Sequence, residues 1–136
     1  MYEVISREKA TQEITVWLDY KKVKDSQREA NKAQVDALID GVQCGNLSMN
    51  ETTFALTQKL DVTDNISTLI GGDSLTFKAR CCIGELQRAS ANVKAIDFDG
   101  KITAYIAALT GNSFSHIQKM DSEDYKIGQA IAVFFM

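Results

Sequence analysis

The sequence predicts an α+β fold that is predominantly helical, with a few short strands in the N-terminal half and a helical C-terminal half. Apolar residues recur at helical spacing along most of the chain, whereas two short segments alternate between apolar and polar residues. Proline is absent from the 136 residues, although average usage would give about seven. Because proline breaks helix interiors, its absence is compatible with long helices. The length and the 45% apolar share predict a single domain over residues 1–136.

The first alternating segment covers residues 13–19 and predicts a strand. One face of this strand holds Ile14, Val16 and Leu18, and the other holds Thr15, Trp17 and Asp19. Residues 20–32 follow and are rich in charge, which is typical of a solvated start of a helix. A phosphate-binding face is the weaker alternative for the same stretch.

A helix is predicted over residues 26–43. Ser26 followed by Glu29 has the spacing of a capping box. Small and aliphatic side chains then recur every three or four residues up to Val42. The stop signal is Gly45 with its neighbours Cys44 and Asn46.

The second alternating segment covers residues 52–60 and predicts another strand, because its threonines favour β structure. Its apolar face would hold Phe54, Leu56 and Leu60. A helix capped by Ser48 and Glu51 is the alternative. Residues 61–73 are polar and contain glycine, which indicates a loop with a short strand at 66–70.

The longest helical pattern begins at Asp73 or Ser74 and runs to Val93. Its apolar positions are Leu75, Ala79, Cys82, Ile83, Leu86, Ala89 and Val93. Residues 97–100 predict a turn, and a helix is expected over residues 101–109 with Gly111 as its stop.

Two further helices are predicted at the end of the chain. Residues 113–119 form a short one, and Asp121 or Ser122 caps the last, whose acidic first turn suits the helix dipole. This last helix is apolar up to Met136, so its end needs a surface to cover it. We expect Tyr125, Ile131 and Phe134 to serve the core. Phe135 and Met136 are the better candidates for contact with a partner.

Composition excludes several classes of protein. The net charge of −3 and the pI of about 5.1 leave no general basic surface for nucleic acid. No apolar run approaches the roughly 20 residues of a membrane helix, and the N-terminus lacks a secretory signal. The cysteines are Cys44, Cys81 and Cys82. An odd number with one adjacent pair fits a reducing cytoplasm better than a disulfide framework.

No metal, cofactor or catalytic site is predicted. Asp97 to Gly100 resembles part of a calcium loop, but full alignment places Ala95 at the first ligand and Ile106 where a bidentate Glu belongs. His116 is the only histidine, and no catalytic signature surrounds the cysteines. The thiols also lack the spacing of a zinc site, and the glycine-rich phosphate-binding motifs are absent.

Three polar features have ordinary structural explanations. Asp121, Glu123 and Asp124 could form an acid–base set, but capping of a helix is the stronger interpretation. Residues 71–74 could hold an anion, although a plain loop-to-helix junction is favoured. Residues 101–120 loosely match helix-turn-helix spacing, yet the second helix offers few base-reading side chains and little charge.

Four short segments of the C-terminal third form a recognisable order: residues 107–111 (AALTG), 117–121 (IQKMD), 123–125 (EDY) and 130–135 (AIAVFF). In these segments the chain resembles the tail assembly chaperones of long-tailed bacteriophages. Upstream, residues 45–47 (GNL), 53–57 (TFALT) and 75–80 (LTFKAR) are also similar to the group. The likeness extends over about two thirds of the chain, and residues 1–24 lie outside it.

The resemblance implies a non-enzymatic role without cofactors. Such chaperones bind the long helical tape measure protein, keep it soluble and recruit tail tube subunits, then leave before the virion is complete. Expected features are therefore a place in the cytoplasm of the infected host, absence from the mature virion and no contact with nucleic acid or membrane. The partner-binding residues would be Phe134, Phe135 and Met136, and a homo-oligomer is left open. The alternative is a structural virion component, such as a tail tube or connector subunit.

Overall fold

The computed structural model describes residues 5–61, 65–94 and 96–136. It is 59% helical with a three-stranded antiparallel sheet, which confirms the predicted α+β, predominantly helical class. The helices are α1 (Arg7–Tyr20), α2 (Asp25–Ala30), α3 (Lys32–Gln43), α4 (Asn65–Ile70), α5 (Ile83–Ala89), α6 (Phe98–Thr110), α7 (Phe114–Ile117) and α8 (Ser122–Ala132). The strands are β1 (Leu47–Met49), β2 (Leu56–Lys59) and β3 (Ser74–Phe77), and a 3-10 turn over Val133–Phe135 follows α8.

The strand predicted over residues 13–19 is wrong, because these residues lie in α1. Ser6 caps this helix by accepting a hydrogen bond from the backbone N–H of Lys9. Its buried residues are Ala10, Ile14, Trp17 and Leu18. That spacing follows a helical stripe, and Val16, placed inward by the strand prediction, is 44% exposed. Burial of Trp17 therefore decides the helix over the strand.

The segment predicted as one helix over residues 26–43 is helical, but it is divided into α2 and α3. The backbone of Asn31 has φ −113° and ψ 33°, which ends α2 and lets α3 begin. The predicted Ser26 cap is wrong, because α2 begins at Asp25 and its N-cap residue is Lys24. The backbone N–H of Lys24 donates a hydrogen bond to Gln27 Oε1. The predicted stop is confirmed by Gly45, which has a φ of +80°.

The sheet has the order β1–β2–β3. Leu47 pairs with Gln58, and Leu56 pairs with Phe77. The strand predicted over residues 52–60 is confirmed for Leu56–Lys59, and β1 replaces the alternative helix at Ser48.

Two predictions around β3 are wrong. The segment predicted as a strand at residues 66–70 is α4, and the long helix expected from residue 73 or 74 is preceded by β3 and reduced to α5. Leu75 and Phe77 are buried against the core while Thr76 is exposed, so pairing with β2 selects the strand period of two. The predicted loop over residues 61–73 falls in part on residues 62–64, which lie outside the described residues.

The C-terminal helices agree closely with the sequence. Helix α6 begins three residues before its predicted start, capped by Asp97, whose Oδ1 accepts the Gly100 N–H at 2.8 Å. It ends at Gly111, whose φ of +71° is the left-handed C-cap that glycine favours. Ser113 caps α7, and Asp121 caps α8, which confirms both predicted starts.

Helix α6 lies at the centre of the fold and contacts α5, α7, α8 and β3. Helix α8 approaches it closely at Gly128, where an added Cβ would lie 3.1 Å from the Ile106 side chain. The largest fully buried side chains are Ile14, Trp17, Leu18, Leu38, Leu56, Ile66, Phe77, Ile102, Ile106, Leu109, Ile117 and Ile131. Within the described residues, no helix has both the length and the apolar character needed to cross a membrane.

Candidate partner-binding surface

The end of the chain folds back onto α1. The ring of Phe134 meets the ring of Trp17 edge to face, with centroids 6.0 Å apart and planes at 84°. The ring of Phe135 lies 6.5 Å from the same indole and is tilted by 53°. Both arrangements are favourable for aromatic pairs. The last aromatic residues therefore have an internal partner, which is more than 100 residues away in sequence.

Exposure differs among the three predicted partner-binding residues. Phe134 and Phe135 are half-buried against the core, while Met136 is 48% exposed. Of the residues expected in the core, Ile131 is fully buried, which confirms its assignment. Tyr125 is half-buried, and its hydroxyl lies 2.9 Å from Thr103 Oγ1. The surface that stays accessible here is thus Met136 and the parts of the two phenylalanine rings that the core does not cover.

A cation covers one of these rings. Lys21 Nζ lies 3.3 Å from the centroid of Phe135 and 5.6 Å from that of Trp17. The same ammonium donates a hydrogen bond to the carbonyl oxygen of Ala79 at 3.2 Å. Burial, together with the nearby charge of Arg80, lowers the pKa of Lys21 from 10.5 to about 8. The C-cap residue of α1 therefore holds a partly desolvated cation against the C-terminal segment.

A second cation and two rings continue this surface. The rings of Tyr20 and Phe54 are stacked, with centroids 4.2 Å apart and planes at 13°. The guanidinium of Arg80 lies 4.8 Å from the Tyr20 ring and donates a hydrogen bond to the Tyr20 carbonyl. Phe54 has a φ of +60°, a conformation that bulky residues rarely adopt. We call the set Trp17, Tyr20, Lys21, Phe54, Arg80, Phe134 and Phe135 the aromatic–cation cluster.

Sequence reasoning identified the C-terminal part of this cluster and missed the rest. It placed Trp17 on the polar face of a strand and treated Lys21 as part of a solvated charged stretch. The available signal was the helical spacing of Ala10, Ile14, Trp17 and Leu18, which competes with the alternation of the same segment. Arg80 belongs to the segment 75–80 of the resemblance, but its contact with Tyr20 could not be predicted, because it depends on how β3 is placed.

A second candidate is a cleft of about 680 Å³ between α3, the end of β2 and the start of α8. Its charged lining residues are Asp40, Lys59, Asp61, Glu123, Asp124 and Lys126. Asp124 is buried, and its Oδ2 accepts the backbone N–H of Asp61 at 3.0 Å. Glu123 pairs with Lys126 at 3.0 Å. Asp124 therefore links the start of α8 to the chain after β2, and Asp121 caps the helix as the sequence predicts.

The cysteines and the histidine form no evident reactive centre within the described residues. Cys81 donates a hydrogen bond to Glu85 Oε2 at 3.1 Å, and burial followed by this contact raises the pKa of its thiol to about 11. A thiol with that pKa is a weak nucleophile at neutral pH. In the part of the chain that the structure describes, no three His, Cys, Asp or Glu side chains are grouped as a metal ion would require.

No protein-family model, curated protein or solved structure matches this chain.

Proposed function

We propose that this chain is a tail assembly chaperone of a long-tailed bacteriophage, which binds the tape measure protein and helps recruit tail tube subunits. The proposal is supported by the resemblance of residues 107–135 to that family. It is also supported by the surface that the end of this segment forms with α1. There, Phe134, Phe135 and the exposed Met136 join α1 in one apolar patch flanked by cations.

The observation that carries the proposal is the partly buried aromatic–cation cluster, with the exposed Met136 and Arg80 at its surface. A long helical partner has an apolar stripe that must be covered until its final partner replaces the chaperone. A patch that combines ring edges, the flexible Met136 side chain and cationic rims suits reversible contact with such a stripe. The chaperone acts in the cytoplasm of the infected host and is absent from the finished particle.

The proposal is tested by co-expressing the chain with the tape measure protein of the same phage and measuring co-purification. We expect capture by the full-length chain, with weaker capture by a Phe135→Ala, Met136→Ala double variant. Phe98→Ala is the matched control, since Phe98 is an exposed aromatic at 54% on α6, outside the cluster. Loss of capture in the Phe98 variant alone would place the contact on α6 instead.

The alternative is a structural virion component. Mass spectrometry of purified particles separates the two roles, because a tube or connector subunit stays in the particle and a chaperone does not. Presence of the chain at subunit stoichiometry, without capture of the tape measure protein, would overturn the proposal.

A further inference from the structure

The two cations of the cluster, Lys21 and Arg80, each donate a hydrogen bond to the backbone carbonyl that precedes the other. Lys21 Nζ donates to the carbonyl of Ala79, which precedes Arg80, at 3.2 Å. Arg80 Nη2 in turn donates to the carbonyl of Tyr20, which precedes Lys21, at 2.9 Å. These reciprocal bonds fix two positive charges side by side at the meeting point of α1 and the segment after β3.

Neither charge has an ionic partner within the described residues. Ion pairs there join Arg7 to Asp36 and Asp40, Arg28 to Asp19, Lys78 to Glu85 and Lys126 to Glu123. Lys21 and Arg80 instead contact neutral groups, namely two carbonyl oxygens and the rings of Phe135 and Tyr20. The neighbouring Cys81 supplies no counter-charge, since its thiol is protonated at neutral pH.

This arrangement disfavours the charged form of Lys21. The Lys21 side chain is half-buried, and repulsion from the charge of the exposed Arg80 adds to the cost of that burial. A carboxylate placed between them would remove this repulsion and accept charge-assisted hydrogen bonds. The chain has a net charge of −3, so this local excess of positive charge runs against its overall balance.

We propose that the aromatic–cation cluster is a docking surface for an acidic protein segment, which places a carboxylate between Lys21 and Arg80 and an apolar side chain against Phe135 and Met136. A helix with an acidic residue one turn from an apolar one presents both groups on one face. The inference deepens the proposed function, since the tape measure protein would supply this segment.

A nucleic acid fits the same surface poorly. Bases bind such sites by stacking on free aromatic faces. Here one face of Tyr20 is stacked on Phe54, Arg80 lies over its ring, and Lys21 lies over the ring of Phe135. The cations therefore occupy the positions that bases would need.

The test uses two synthetic amphipathic helices of identical apolar pattern, one with glutamates and one with glutamines at the polar positions. Trp17 is the only tryptophan, so its emission reports binding at the cluster. We expect the glutamate helix to bind at least about tenfold more tightly, and a Lys21→Met, Arg80→Gln double variant to lose that preference. Lys24→Gln is the control, because Lys24 is an exposed cation at the start of α2. Circular dichroism checks that each variant is folded.

Equal affinity for the two helices, or a preference that survives in the double variant, would overturn the inference. Tighter binding of a single-stranded oligonucleotide that is lost in the double variant would overturn it in favour of nucleic acid. Co-purification with the tape measure protein keeps the two proposals separate. Capture by wild type without a glutamate preference leaves the proposed function standing alone, and a glutamate preference without capture leaves only the docking surface.

Discussion

The aromatic–cation cluster differs from the cleft between α3, β2 and α8 in how its charged side chains are paired. In the cleft, Glu123 pairs with Lys126, and Asp124 accepts the backbone N–H of Asp61. In the cluster, Lys21 and Arg80 are held side by side by carbonyls and rings, and within the described residues neither has an ionic partner. Asp124 therefore uses its charge within the fold, whereas the two cations of the cluster have no counter-charge among the described residues.

The two regions also differ in the elements that form them. The cleft is formed around the charged start of α8, whereas the cluster gathers rings from α1, the turn before β2 and the chain end.

The largest effect is expected from removing the centre of the cluster. Trp17 is 1% exposed, so Trp17→Ala should lower the free energy of unfolding by about 3–5 kcal/mol. Urea unfolding followed by circular dichroism measures this change. Val16→Ala is the matched control on the same helix, and its expected cost is within about 0.5 kcal/mol. A similar cost for the two variants would show that the indole is not a packing centre.

Deletion of Phe134 to Met136 should cost less, about 2–3 kcal/mol, because the two rings that it removes are only half-buried. The remaining domain should stay folded, while the emission of Trp17 shifts to longer wavelength as its covering rings are lost. The deletion should also weaken binding to a partner or between copies of the chain. Complete unfolding, or an unchanged emission spectrum, would contradict this division between core and surface.

In the cleft, Asp124→Ala should destabilise the fold by about 2 kcal/mol, because it leaves the backbone N–H of Asp61 without its 3.0 Å acceptor. Glu123→Gln, which breaks only an exposed ion pair, should change stability by less than about 0.5 kcal/mol. Thermal unfolding of both variants makes the comparison. Equal effects would mean that Asp124 is no more structural than its neighbour.

The smallest effect concerns pH. The pKa of Lys21 is about 8 in the folded chain against an ordinary 10.5. The unfolded chain therefore binds more protons above pH 8, and the stability of the folded chain rises as pH rises through this window. The raised pKa of Cys81 acts in the opposite direction above pH 9.

Between pH 8 and 9, wild type should thus gain up to about 1 kcal/mol relative to Lys21→Met, after allowance for the partial exposure of the lysine. Denaturant midpoints at the two pH values measure the difference. A parallel response of the two proteins would show that Lys21 titrates as it does in a free peptide.

Strong capping signals made the C-terminal helices predictable. Gly111, Ser113 and Asp121 each act through the backbone of neighbouring residues, so their effect can be recognised in a short stretch of sequence. The candidate surface was predictable only at Phe134, Phe135 and Met136, where an apolar chain end signals a need for cover. Its other half depends on α1 and on the segment after β3, which sequence patterns placed incorrectly.

The errors fall where a short segment fits two periods. Residues 13–19 alternate, but they also contain part of a helical stripe, and burial of Trp17 against Phe134 and Phe135 decides between them. The pattern of residues 74–77 also fits the start of a helix, but hydrogen bonding to β2 makes this segment a strand. The sequence by itself determined the fold class, the stop of α6 at Gly111 and the starts of α7 and α8, because those depend on local backbone chemistry. Only the tertiary structure decided α1, β3 and the pairing of Lys21 with Arg80, since each depends on partners distant in sequence.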